Sequence, residues 1–260
     1  LKITPGYRFG LDFFESSLFQ YGNNFRHTIT LSETFRFLPQ TAVVHDTAIV
    51  YQDYWTFDPG APTLVNDALM LRTRVGLNGA FTSNFSVLAL VGYGAGFFDT
   101  PSPATYDMDY ESIVAQLEAR WQITPQMRLV FGYDRDFQPS FVGNFYRRDR
   151  GYANFQTVID RVFLVGLAAE VGGYEFGAIV QPDAMTPVGS SLTRSDIRII
   201  GELFAEYRFT DWLGVNGTLR YSGAFTDFRY RVPIDPSMPP VLDPAGFNKF
   251  EAWLGVRVFY

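Results

Sequence analysis

The 260-residue chain is 47% hydrophobic and 17% aromatic, yet it carries a net charge of -6 with a pI near 5.0, which argues against nucleic acid as a partner. It contains no cysteine, which excludes disulfides, thiolate metal sites and a cysteine nucleophile. Mean hydropathy is -0.01 and no run of about 20 apolar residues occurs, so a helical membrane protein is excluded as well.

In chain order the pattern predicts twelve strands, at 2–14, 25–37, 41–55, 68–81, 85–98, 111–123, 127–137, 158–170, 174–182, 195–209, 213–226 and 247–260. Five short turn signals join them in pairs: Leu38-Pro39-Gln40, Thr82-Ser83-Asn84, Thr124-Pro125-Gln126, Val171-Gly172-Gly173 and Thr210-Asp211-Trp212. The turns recur every 40 to 47 residues or so, which leaves room for two strands and one longer loop. The loops, at roughly 15–24, 56–67, 99–110, 138–157, 183–194 and 227–246, carry most of the prolines, as in Asp58-Pro59-Gly60 and Pro101-Ser102-Pro103. The rhythm continues without a linker, so one domain over 1–260 is expected.

Single strands divide into two chemically distinct faces. In 68–81, Leu69, Leu71, Thr73, Val75, Leu77 and Phe81 face one way, and Met70, Arg72, Arg74, Gly76 and Asn78 the other. Strand 111–123 sets Ile113, Ala115, Leu117, Ala119 and Trp121 against Gln116, Glu118, Arg120 and Gln122. Strand 195–209 sets Ile197, Ile199, Leu203, Ala205, Tyr207 and Phe209 against Asp196, Arg198, Glu202, Glu206 and Arg208. Placing the arginines in hydrocarbon would cost several kcal/mol per charge, so the apolar face is expected to meet lipid. A lipocalin-like or sandwich protein would turn the apolar face inward, but twelve strands of Phe, Leu, Tyr and Trp could not fill one lumen. Phe35, Phe37, Phe81, Phe85, Trp121, Phe209, Trp212, Phe259 and Tyr260 gather near strand ends, as an interfacial aromatic girdle would.

In the last strand Phe250, Ala252, Leu254, Val256, Val258 and Tyr260 share one face. This alternation ending on an aromatic residue resembles the C-terminal signal of Gram-negative outer-membrane β-barrels, with Tyr260 where Phe is usual. The resemblance implies an all-β, single antiparallel up-and-down transmembrane barrel of about twelve strands with both termini periplasmic. It also implies recognition of Phe250, Leu254, Val256, Val258 and Tyr260 by the barrel assembly machinery, and contact with outer-membrane lipid and lipopolysaccharide. An outer-membrane destination needs an export signal, and the chain as it stands shows none. Either the signal has been removed or the barrel is cut from a longer polypeptide.

The polar face supplies the candidate site. If the turn at 82–84 makes opposing residue numbers sum to 166, Arg74 lies opposite Gly92, Arg72 opposite Gly94 and Met70 opposite Gly96. The glycines would leave a trough over which guanidinium groups lie, giving a lumen strip that selects anions. The alternative is that the arginines pair with carboxylates such as Glu118, Glu202 and Glu206 and plug the interior. Arg120 belongs to the same face, and Arg220 is expected opposite Glu202. On the lipid face the turn at 38–40 places Glu33 opposite His45. That costly polar pair suits contact with a partner protein subunit, unless Asp46 and His45 exchange faces.

No catalytic residue is assigned. Only His27 and His45 could supply an imidazole, and neither sits in a hydrolase motif. Asp107-x-Asp109-x-Glu111 lacks the glycine and spacing of an EF-hand, so neither a metal nor another cofactor is expected. Arg147-Arg148-Asp149-Arg150 is placed in the longest loop, either solvated or against lipopolysaccharide phosphates. Two functions remain: a porin-like channel for small polar or anionic solutes, and a non-conducting structural or anchoring subunit of an envelope-spanning complex.

Overall fold

The alternating stretches fold as strands in a computed structural model that describes residues 1–15, 22–55, 66–99, 109–140, 144–179, 192–232 and 241–259. The strands are β1 (Lys2–Asp12), β2 (Asn24–Leu38), β3 (Thr41–Tyr54), β4 (Ala68–Thr82), β5 (Phe85–Phe98), β6 (Tyr110–Thr124), β7 (Met127–Pro139), β8 (Phe145–Ile159), β9 (Phe163–Ile179), β10 (Leu192–Arg208) and β11 (Leu213–Phe225), then a small hairpin of β12 (Arg229–Val232) and β13 (Val241–Pro244), and finally β14 (Phe247–Val258). Twelve of them form one antiparallel up-and-down sheet in the order β1 to β11 and then β14, and β12 pairs with β13 alone.

Four of the five expected turns close hairpins, and the registers counted from them hold: Arg74 opposes Gly92, Arg72 opposes Gly94, Met70 opposes Gly96, Glu33 opposes His45 and Glu202 opposes Arg220. Three of these hairpins carry an extra residue just before the turn, namely Phe37, Phe81 and Ile123. Such a bulge increases local twist, and here it leaves an apolar side chain exposed at the rim.

One predicted turn is overturned. Val171, Gly172 and Gly173 lie inside β9, paired with Gly151, Arg150 and Asp149 of β8 and with Ile199, Arg198 and Ile197 of β10. The strands expected at 158–170 and 174–182 are thus one strand, and most of the loop expected at 138–157 is β8. The turn actually falls at Asp160-Arg161, whose φ angles are 50° and 63°, and the Val162 N–H donates to the Ile159 carbonyl at 3.2 Å. Both Asp160 and Arg161 have positive φ, the conformation that the central residues of a type I′ turn adopt. Asp160 is its only turn-forming residue, a weaker mark than the nearby Gly172-Gly173 pair. One turn is exchanged for another and the sheet keeps twelve strands, while β12 and β13 form an additional hairpin inside the loop expected at 227–246.

The two faces separate as expected. Ile29, Leu69, Val75, Leu77, Val91, Ile113, Leu117, Leu167, Val171 and Ile197 are exposed on the outer face, bounded at the short-turn end by Phe35, Phe37, Phe81, Trp121, Phe209 and Trp212. A soluble monomer rarely exposes apolar surface on this scale. The opposite, concave face holds most of the charges and the larger buried apolar cluster among the described residues, formed by Ala68, Met70, Phe98, Tyr110, Val114, Phe137 and Phe145.

Two inward-facing glycines let the backbones of β4 and β5 close in on the concave side, which favours a bend of the sheet there. A Cβ on Gly76 would lie 1.8 Å from the Ala89 carbonyl oxygen, and one on Gly92 the same distance from that of Thr73. Only glycine permits this approach of two backbones.

The first and last strands of the sheet do not pair, so the sheet is not closed. Trp55 N–H donates to the Asn23 carbonyl, so odd residues of β2 bond toward β3 and even ones toward β1. The odd residues of β1, from Ile3 to Leu11, therefore aim their backbone groups at the free edge. Phe259 N–H donates to the Trp212 carbonyl, which leaves the even residues of β14, from Phe250 to Val258, aimed at the other free edge. Both sets lie on the apolar face, so the edges match in side and in direction. Unpaired backbone groups in hydrocarbon cost several kcal/mol each, and joining the edges would satisfy both rows except at Pro5, which has no N–H. In protein reconstituted into a bilayer, the amides of Tyr7, Phe9, Leu254 and Val256 are expected to exchange with deuterium as slowly as those of β4. Exchange within seconds would show that the edges stay apart.

Candidate functional site

Arg72 and Arg74 project from β4 into the concave side, and both are paired. Arg74 grips both carboxylate oxygens of Asp46 on β3, at 2.8 to 3.2 Å, and donates to Gln116 Oε1 on β6 at 3.2 Å. Arg72 donates to Asp136 on β7, three strands away across the concavity. The β6–β7 ladder stops at Ala115 opposite Arg135, while β7 stays paired with β8 as far as Pro139 opposite Phe145. The top of the β7–β8 hairpin thus leans over the lumen. Phe137 meets the Tyr110 ring with centroids 4.6 Å apart, and Phe145 stacks on Phe98 and tilts against Tyr110.

The expected glycine trough is therefore filled. A Cβ on Gly94 would meet the Phe137 ring at 2.5 Å, so the space beside Arg72 accommodates an aromatic side chain rather than a resting guanidinium. The pairing alternative is nearer the structure, with Asp46 and Asp136 in place of the expected glutamates. These partners were not legible in the sequence, because β3–β4 and β4–β7 are related through long loops that fix no register.

Other concave-face charges form ladders. Arg120 donates to Glu118 at 2.6 Å, and Glu118 also accepts from Tyr152. Asp134 receives Arg148 at 2.8 Å together with Arg150, which reaches Glu170 at 2.7 Å. Asp196 is fully buried between Arg194 and Arg198, and Glu206 between Arg208 and Arg257. Glu202 and Arg220 oppose each other on β10 and β11, so the structure does not bring them to Arg72 and Arg74. Lys2, Arg8, Arg36, Arg128 and Arg220 face the concave side without an ion pair among the described residues, and Glu202 is the one concave-face carboxylate in that state.

Strand alternation splits the Arg147–Arg150 run. Arg148 and Arg150 turn inward, whereas Arg147 and Asp149 turn outward beside Arg135 and Glu175. The run is thus part of a strand, not the loop expected. On the same outer face the Glu33–His45 pair is 3.1 Å apart, and His45 Nε2 lies 3.0 Å from Thr73 Oγ1, which bonds Thr47 at 2.9 Å. Asp46 faces inward, so the two neighbours keep their expected faces. The polar cost of Glu33 and His45 is largely met inside this four-residue cluster.

Asp107 lies outside the described residues. Asp109 accepts the Phe98 N–H at 3.0 Å, and among the described residues no three His, Asp or Glu converge as a metal site. At the loop end of β3, burial pushes the Asp67 carboxyl up, opposed by the Tyr54 N–H that it accepts at 2.7 Å. Phe250, Leu254, Val256 and Val258 line the exposed outer face of β14; Tyr260 lies outside the described residues, and Phe259 packs under the Arg208 guanidinium at 4.2 Å.

An up-and-down antiparallel sheet, apolar outside and charged within, is the wall architecture of a transmembrane β-barrel. No family model matches the chain, and comparison with curated proteins finds no match. Among solved structures the chain is similar to the FrpB iron transporter from Neisseria meningitidis (F3-3 variant), with 11% identity and a TM-score of 0.56. The similarity covers 86% of this chain and 40% of that one, so the chain spans less than half the length of the transporter. At this identity the likeness is one of fold.

Proposed function

We propose that the protein is an outer-membrane β-barrel that passes small anionic solutes through a positively biased lumen. The observation that carries the reading is the imbalance of unpaired charge. In a chain of net charge -6, unpartnered cations on the concave face outnumber unpartnered carboxylates among the described residues, because nearly every acidic side chain there is already neutralised by an arginine. A guanidinium keeps its charge at any ordinary pH, and a narrow low-dielectric passage amplifies its field. The expected selectivity therefore rests on Arg8, Arg36, Arg128 and Arg220 more than on Arg72 and Arg74, whose charges are neutralised by Asp136 and Asp46.

Purified protein in a planar bilayer should show unit conductance and, across a salt gradient, a reversal potential on the anion side. Arg36→Glu with Arg128→Glu should move that potential toward cations. Conductance with unchanged selectivity would refute the role of these cations. No conductance at all would favour a non-conducting structural or anchoring subunit, the reading supported by the inward lean of the β7–β8 hairpin and its buried aromatic cluster.

A further inference from the structure

Between the β1–β4 wall and the inward-leaning part of β7 lies a cavity of about 270 Å³, lined by Arg8, Arg26, Thr28, Arg72, Asp136 and Gln138 among others. Three guanidinium groups from three strands thus line one space, and among the described residues Asp136 is the only carboxylate in its lining. Arg26 is held at the rim by Asp12, 3.0 Å away, and both side chains of that pair are close to half exposed. Arg8 makes no ion pair or hydrogen bond with any described residue. The Nε atoms of Arg26 and Arg72 are buried and have no acceptor.

Resting on the reading of the concave face as a solute path, we propose that Arg8, Arg26 and Arg72 form a binding site for a small anion carrying phosphate or carboxylate oxygens. The chemistry follows from the donors. A guanidinium presents a planar fork that matches two oxygens of an oxyanion, and it cannot discharge by losing a proton. Buried donors without acceptors are costly until something supplies oxygens to them. Asp136 on Arg72 and Asp12 on Arg26 supply two carboxylates to three cations, so Arg8 and the inner Nε atoms of the other two remain unused donors. An entering anion competes with Asp136 for Arg72, and Thr28 and Gln138 offer neutral hydrogen bonds beside it. The volume holds roughly nine waters, enough for a phosphate-sized ion with part of its hydration shell. The site opens on the concave side, away from the lipid-facing wall, so the ligand is a dissolved solute rather than a lipid headgroup.

The test is calorimetric titration of inorganic phosphate, at low ionic strength, into the detergent-solubilised protein. One saturable site is expected. Arg8→Gln and Arg26→Gln should each weaken binding by about tenfold or more, the scale of a lost charge-assisted hydrogen bond. Asp136→Asn, which removes the competing charge but keeps the shape, should strengthen it. Opposite responses to Arg8→Gln and Asp136→Asn would not arise from a general loss of structure, and heat-modifiable gel migration confirms that each variant is folded. Absence of saturable binding to folded wild-type protein overturns the proposal, as does undiminished binding in folded Arg8→Gln/Arg26→Gln protein. Binding by a barrel that does not conduct would keep this site and remove the channel reading; conductance without binding would do the reverse.

Discussion

Gly92→Ala is expected to prevent formation of the folded barrel, although it adds only one methyl group. The new Cβ would lie 1.8 Å from the Thr73 carbonyl oxygen and 2.6 Å from the Arg74 Cα, both backbone atoms of the paired strand. No rotamer change relieves that overlap, so β4 and β5 would have to separate where the sheet bends. The loss should exceed the roughly 1–3 kcal/mol typical of core overpacking, which side-chain shifts can absorb. Gly76→Ala should behave alike, since its Cβ meets the Ala89 carbonyl at the same distance. Gly201→Ala is the control, because nothing lies within 4 Å of a Cβ built there. Refolding into detergent, followed by heat-modifiable migration on gels, reads the result. A folded Gly92→Ala band as intense as that of Gly201→Ala would show that the bend does not depend on this contact.

The second large effect is expected at Glu206, and it is asymmetric. Its carboxylate is fully buried, while Arg208 and Arg257, at 3.3 and 2.8 Å, are about half exposed. Arg257 comes from β14 and Glu206 from β10, so the pair ties the last strand of the sheet across β11. Removing both cations with Arg208→Ala and Arg257→Ala strands a desolvated carboxylate, at a cost of about 3–5 kcal/mol. Glu206→Gln instead removes the buried charge and leaves two arginines that water can reach, so the cost should be about 1 kcal/mol. Urea unfolding of the folded barrel in lipid, compared by midpoint, measures both. If Glu206→Gln proves the more damaging change, the carboxylate contributes through its charge despite its burial, and the argument from desolvation fails.

Strand count, sidedness and hairpin registers were legible in the sequence because they are local. Alternation has a period of two, so Leu69, Leu71 and Leu77 determine the outer face of β4 without reference to the rest of the chain, and the tight turns at Pro39 and Ser83 bring Glu33 to His45 and Arg72 to Gly94 by counting alone. Where a Gly-Gly pair lay close to a less marked turn, as Gly172-Gly173 does to Asp160-Arg161, the same counting put the hairpin in the wrong place. What only the tertiary structure decided was the chemistry of the concave face. Whether Arg72 and Arg74 are free depends on Asp136 and Asp46, brought close by sheet curvature and by loops whose lengths set no register. The meeting of Arg8, Arg26 and Arg72 with Asp136 in one cavity depends on the same curvature, which brings β7 over β1, β2 and β4. Periodicity along a strand specifies which way a side chain points; only the bend of the whole sheet specifies what it meets there.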